Sequence, residues 1–244
     1  MRPEAVALKI LPMRRIREHT SAFTLIELLV VMTLIAILLG IGYPAFTSVM
    51  ESARKTQAKN EEQQIVAAVN AYYTDYGKYA VNAANNTTNA YFGPGPVPAG
   101  STSYGSNGVL VDVLRNNSNP SGPNYATVTL LNPRAIVFIQ PPVSKDQTTP
   151  RSGIQTSTGN WYDPWGSQYN VMINWKYDNQ ITNPYTDAPG GATLNLGVMA
   201  WSFGKNGALG GGPAATLPPP SPAFTAEGGS NGNFSGSGDV ISWQ

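Results

Sequence analysis

Phe23 to Gly42 is a run of twenty residues that carries a single charge, Glu27. At 1.5 Å per residue, a helix of this length spans the roughly 30 Å hydrocarbon layer of a bilayer. The run therefore dictates a helix and divides the chain into two regions of different character. Arg2, Lys9, Arg14, Arg15 and Arg17 precede it, against Glu4 and Glu18. That bias keeps the basic leader in the cytoplasm and places residues after Phe46 outside. Glu27 is the difficulty, because an unpaired carboxylate in hydrocarbon costs on the order of 2.5 kcal/mol or more.

Three readings of the run compete. It is a plain signal anchor, a cleaved secretory signal peptide, or a processed assembly helix. The secretory reading fits poorly: the apolar stretch is longer than the usual h-region and lacks a small-x-small site followed by a polar start. The third reading uses the acid. A cut between Ala22 and Phe23 gives Phe23 a free amine one helical turn from Glu27. When such helices stack, the Glu27 carboxylate of one copy meets the amine of its neighbour, and the cost of burying it then sets assembly register.

Ala22-Phe23-Thr24-Leu25-Ile26-Glu27 followed by an apolar helix resembles the processing site of type IV pilins and type II secretion pseudopilins. The resemblance implies cleavage before Phe23 by a prepilin peptidase, N-methylation of Phe23, and an assembly role for Glu27. Pro44 stands where the family often carries a helix-loosening proline. The family usually has Gly before the cut, and Ala22 takes that place here.

From Ala45 to about Tyr76 the sequence reads as a continuation of the helix, with Ile65, Val69, Tyr72 and Tyr76 forming an apolar stripe. Glu51 to Gln64 is polar with mixed charges, as for a helix leaving the membrane, and Gly77 is the expected stop. Residues from about Ala80 to Ser106 read as surface loop, and "GVLVDVLRN" as a short helix. "YATVTLL" reads as strand or coil, and Ala135 to Gln140 as the better strand candidate. Lys145 to Asn160 reads as polar loop. Asp163-Pro164-Trp165-Gly166 has type I turn chemistry. Tyr169, Val171 and Ile173 alternate as a strand, "LNLGVMAWSFGKNG" supplies another, and "GDVISWQ" closes the chain. The Asp-Pro-Trp-Gly turn, the Ser-Phe-Gly-x-x-Gly turn and the terminal Asp-Val-Ile-Ser-Trp resemble the body of major pseudopilins in the same order.

The implied fold is α+β and pilin-like, a long amino-terminal helix packed on a small antiparallel β-sheet body. Its expected divisions are a removed leader (1–22), a transmembrane and assembly half of the helix (23–44) and an exposed half (45–79). A variable loop region with a short helix and strand or strands (80–160) and a β-sheet body with the C-terminal loop (161–244) complete it. Major pseudopilins bind calcium in the loop between the last two strands, and the matching candidates are Asn206, Glu227 and Asp239. Calcium wants six to eight oxygens, and Lys205 beside Asn206 opposes it. The bland role for Asp239 is to cap a turn or pair with Lys205.

Cysteine is absent and the one histidine, His19, precedes the cut. The processed chain then offers no imidazole or thiol chemistry, and a carboxylate pair of glycosidase type is the remaining catalytic route. The acids sit mostly in turn-like contexts, so the expectation is no enzyme. A net charge of +1 gives no footprint for nucleic acid. Trp161, Trp165, Trp175 and Trp201 suit core and turn packing, or else a sugar-stacking surface. Asp178-Asn179 reads as a tight turn.

The expected function is a structural subunit of a pilus or pseudopilus, most closely a secretion pseudopilin. Its expected partners are other copies of itself, minor pilin-like subunits, prepilin peptidase, an inner-membrane assembly platform, and the lipid bilayer before assembly. The expected location is the bacterial inner membrane, single-pass with the N-terminus in the cytoplasm, then a periplasmic or surface filament. A pilin for adhesion, motility or DNA uptake, and a membrane-anchored carbohydrate-binding module, are the alternatives.

Overall fold

The protein is described by a computed structural model over residues 23–212 and 227–244. The expected leader lies outside the described residues. Helix α1 runs over Leu25–Tyr76, 52 residues that include Pro44. Contacts divide the chain into two units, one ending at Ser48 and the other spanning Val49–Gln244.

In the first unit every described side chain from Phe23 to Ile41 is exposed. Helix α1 is long and apolar enough to cross a membrane, with a mean hydropathy of 2.7 over its most apolar stretch and none of that stretch buried.

The second unit contains the rest of α1 and the folded body. Its strands are β1 (Asn89–Phe92), β2 (Ser101–Ser103), β3 (Gly153–Ile154), β4 (Trp161–Tyr162), β5 (Asn170–Ile173), β6 (Ile181–Thr182), β7 (Thr193–Leu194), β8 (Val198–Ser202), β9 (Gly210–Gly212), β10 (Glu227–Asn231) and β11 (Val240–Ile241). Two short helices join them, α2 (Asn107–Leu114) and α3 (Tyr125–Leu131). The main sheet has the order β11-β8-β5-β1-β2, with β3/β4, β6/β7 and β9/β10 as separate pairs.

Side-chain alternation sorts the main sheet into two cores. Ala90, Phe92, Val171, Ile173, Val198, Ala200 and Val240 join the cluster that holds Ala58, Ile65, Val69 and Tyr72 of α1. Tyr91, Met172, Met199, Trp201 and Ile241 join Ile181, Tyr185, Leu194 and Phe203 in the other. Both faces of β5 and β8 are therefore buried, and the alternation read for Tyr169, Val171 and Ile173 marks one of two covered faces.

Three expectations about the middle of the chain and one about α1 need correction. The stretch from Ala80 to Ser106 is not all surface loop: β1 is fully buried and central, between β5 and β2. Its pairing with β2 is parallel, Asn89 to Ser101 and Tyr91 to Ser103, in a sheet otherwise antiparallel. The connection "GPGPVPAG" explains this, because prolines 94, 96 and 98 hold it extended and prevent a tight hairpin.

"YATVTLL" is helix α3, not a strand. Ala135 to Gln140 forms no strand either. It is an extended strap clamped by Asn132, whose Nδ2 donates to Val113 and Ile136 carbonyls and whose Oδ1 accepts from the Ile136 N–H. The strap is tied to α2 by the Phe138 N–H bond to the Leu114 carbonyl, 2.8 Å.

Within α1, the polar stretch Glu51 to Gln64 is not solvated all round. Ala58, Glu61 and Glu62 are buried, because the stripe of Ile65, Val69 and Tyr72 continues one and two turns back toward the N-terminus.

Candidate functional site

The amino end is organised by a reciprocal cap. Thr24 donates to Glu27 Oε2 from both its backbone N–H and its hydroxyl, each at 2.8 Å. The Glu27 N–H in turn donates to Thr24 Oγ1 at 3.2 Å. This is the Thr-x-x-Glu capping box, which satisfies two donors that a helix start otherwise leaves open. Sequence reading placed the acid's partner on another copy and missed this local one, although Thr24 three residues before Glu27 spells the motif. The donors are neutral, so they satisfy an oxygen without cancelling the charge. Phe23, 84% exposed, sits immediately before the cap. Ala22 lies outside the described residues. Pro44 lies inside α1, where its ring removes one helical donor.

Two of the three calcium candidates, Asn206 and Asp239, meet at one residue, Gly210. Asn206 Nδ2 donates to the Gly210 carbonyl at 2.8 Å, and the Gly210 N–H donates to Asp239 Oδ2 at 2.7 Å. Asn206 Oδ1 accepts from the Ala208 N–H, and Asp239 Oδ2 also accepts the Tyr185 hydroxyl at 2.8 Å. The Glu227 side chain lies outside the described residues. Among the described residues no group of three or more His, Cys, Asp and Glu side chains could hold a metal ion. Asn206 Oδ1 and Asp239 Oδ2 thus face N–H and O–H donors, the arrangement of a hydrogen-bonded turn.

Of the tryptophans, Trp161, Trp165 and Trp201 are buried. Trp161 packs edge-on against Tyr169, and Trp201 stacks on Tyr91. Trp165 Nε1 donates to Glu51 Oε1 at 3.0 Å, and Trp175 Nε1 to the Asn85 carbonyl. Among the described residues the indole N–H of Trp201 makes no such bond, and that of Trp161 lies near the Glu61 carboxylate without forming one of normal geometry. The packing role expected for these residues is what their burial supports. Asp178 accepts from the Gln180 N–H and pairs with Lys176 at 2.6 Å, and Asn179 has positive φ, as in a tight turn.

Asp163 does more than open a turn. Its Oδ1 accepts the backbone N–H groups of Trp165, Gly166 and Ser167 at 2.9, 2.7 and 2.9 Å, and its Oδ2 accepts the Ser202 hydroxyl at 2.5 Å. Full burial still pushes this carboxyl up to about 7, against four bonds that favour its anion.

Around it lies a group of buried acids that sequence reading missed. Glu61 accepts the Tyr169 hydroxyl at 2.6 Å and Gln57 Nε2 at 2.8 Å, and burial raises it above the ordinary carboxylate range. Glu62 is completely buried, and among the described residues neither of its oxygens accepts a hydrogen bond of normal geometry. Burial holds it well above the ordinary range, with the Lys59 charge and the Ser202 amide only partly offsetting. The available signal was periodicity: extending the stripe back from Ile65 reaches Glu62, Glu61 and Ala58.

Residues 19–43 match the family model described as the prokaryotic N-terminal methylation motif. The chain therefore carries a prepilin-type amino end, the kind that pilins and pseudopilins share. The match covers that end alone and assigns no subfamily within the class. Comparison with curated proteins and with solved structures gives no match.

Proposed function

We propose that this protein is a structural subunit of a pilus or pseudopilus filament, and of the two a pseudopilin of a type II secretion-like system. The observation that carries the proposal is a prepilin-type amino end on a helix whose apolar side chains, Leu25 to Ile41, find no cover among the described residues. Burying them takes lipid before assembly and sister helices after it. On this reading a prepilin peptidase cuts between Ala22 and Phe23, and Phe23 is N-methylated. The subunit waits in the inner membrane with its basic leader in the cytoplasm, and an assembly platform draws it into a homopolymer with minor pilin-like subunits. No catalytic step is assigned.

The Asp163-Pro164-Trp165-Gly166 turn and the carboxy-terminal resemblance favour the pseudopilin over a surface pilin for adhesion, motility or DNA uptake. The absence of cysteine rules out the carboxy-terminal disulfide loop that many surface pilins carry. Burial of Trp161, Trp165 and Trp201 disfavours a carbohydrate-binding module.

Glu27 is the residue that tests the proposal, and Glu27→Gln is the informative change. Glutamine preserves the capping box, since Glu and Gln serve equally there, but removes the charge. The variant should insert in the membrane like the wild type and be lost from sheared filaments, as should Glu27→Ala. Normal assembly of Glu27→Gln would reduce this residue to a helix cap and end the charge-pairing account.

A further inference from the structure

The second unit contains an acid that none of this uses. Glu62 faces inward from α1 with no exposed surface and, among the described residues, no hydrogen bond of normal geometry to either oxygen. Several groups face it. The Ser202 backbone amide comes from β8, Asp163 from the turn before β5, and Asp239 from the segment before β11. The hydroxyls of Tyr169 and Tyr185 lie within its electrostatic reach, and Lys59 is on its own helix. Most of these groups already serve something else. Lys59 Nζ donates to the main-chain oxygens of Ile241 and Gln244. The Tyr169 hydroxyl serves Glu61, and the Tyr185 hydroxyl serves Asp239. The Ser202 hydroxyl serves Asp163.

Each of the other three acids accepts at least two well-formed hydrogen bonds, whereas among the described residues Glu62 accepts none and has only the Ser202 amide and the Lys59 charge favouring its anion. We infer that Glu62 is a proton-held latch: the segment of α1 from Ala58 to Tyr72 seats fully on the sheet only while this carboxyl is protonated. Ionisation would place a further negative charge beside the Asp163 and Asp239 carboxyls in a site closed to solvent, and the seat loosens instead. External pH thereby becomes an input to how firmly the body grips this helix segment. The inference concerns folding of the second unit and stands whether or not the chain forms filaments.

The sign follows from linkage. The folded-state proton affinity of Glu62 lies well above its ordinary value of 4.5. Its contribution is whole below that value and declines as pH rises toward the folded-state value. The test uses the full chain in detergent micelles, with thermal melts from pH 5 to 9 and hydrogen exchange over residues 58–72, corrected for intrinsic rates. The wild-type midpoint should fall across this range, and these helix amides should exchange at least tenfold faster at pH 9. Glu62→Gln, a neutral isostere, should make the profile shallower, leaving the slope that Asp163 and Glu61 contribute, and melt higher than wild type at pH 9. Glu62→Met, which has no polar head, should do the same. Variants that both keep the wild-type slope would overturn the inference, as would variants that both melt lower by an equal amount at every pH.

Discussion

At the residue scale, the informative positions are acids whose surroundings differ more than their sequence contexts do. Glu27, Asp163 and Glu62 are all charged letters in apolar or turn-like text, yet each meets a different fate. Glu27 closes a helix start through Thr24. Asp163 gathers three backbone amides and a hydroxyl. Its turn was legible, since Asp, Pro and Gly fall at the first, second and fourth places, but its burial was not. The Ser202 hydroxyl that completes the site comes from 39 residues downstream, and local pattern carries no such information. Asp163→Ala should strand those amides in a buried site and cost about 3 kcal/mol or more, read as a lowered urea midpoint. An unchanged midpoint would show that the turn holds without its anchor.

At the element scale, the long helix and its end were readable because both depend on local chemistry. Gly77 has φ +68, and its N–H bonds back to the Tyr73 carbonyl at 2.8 Å, the left-handed stop that glycine permits. A Cβ added there would meet nothing within 4 Å, so Gly77→Ala isolates the conformational term. It should destabilise by roughly 1 kcal/mol, seen as a small drop in melting temperature with no change in assembly. A larger loss would point to a packing role for Gly77 that the geometry lacks.

The short elements were less legible. "YATVTLL" is rich in β-branched residues, yet α3 forms because Val128 and Leu131 turn to the core and the Thr129 hydroxyl is absorbed by the Tyr125 and Ala126 carbonyls. The Tyr72 hydroxyl also holds the Leu131 carbonyl at 2.6 Å. "AIVFIQ" has the composition of a strand, but the Asn132 side chain takes the bonds at its start and Phe138 lies against Tyr72 and Tyr76. Tertiary partners overrode propensity in both cases. The strand "NAYF" escaped notice because only two of its four residues are large and apolar, and proline-rich text follows it.

At the scale of the whole molecule, the α+β architecture followed from one apolar run, one helical stripe, the alternation of Tyr169, Val171 and Ile173, and the resemblance to the pilin family. The parallel β1/β2 pair and the second core behind the sheet did not, since each depends on contacts between distant residues. The same limit applied to function. The amino-terminal motif carries its meaning in a few adjacent letters, while the buried acids acquire theirs only when β5, β8 and β11 come together against α1.

The central claim is that this chain is trimmed and enters a polymer. Its most direct test is intact-mass and amino-terminal analysis of the protein recovered from the sheared filament fraction. The account predicts a chain that begins at Phe23 and bears one added methyl group on its terminal amine. A chain that keeps residues 1–22, found only as a dispersed membrane protein, would contradict it.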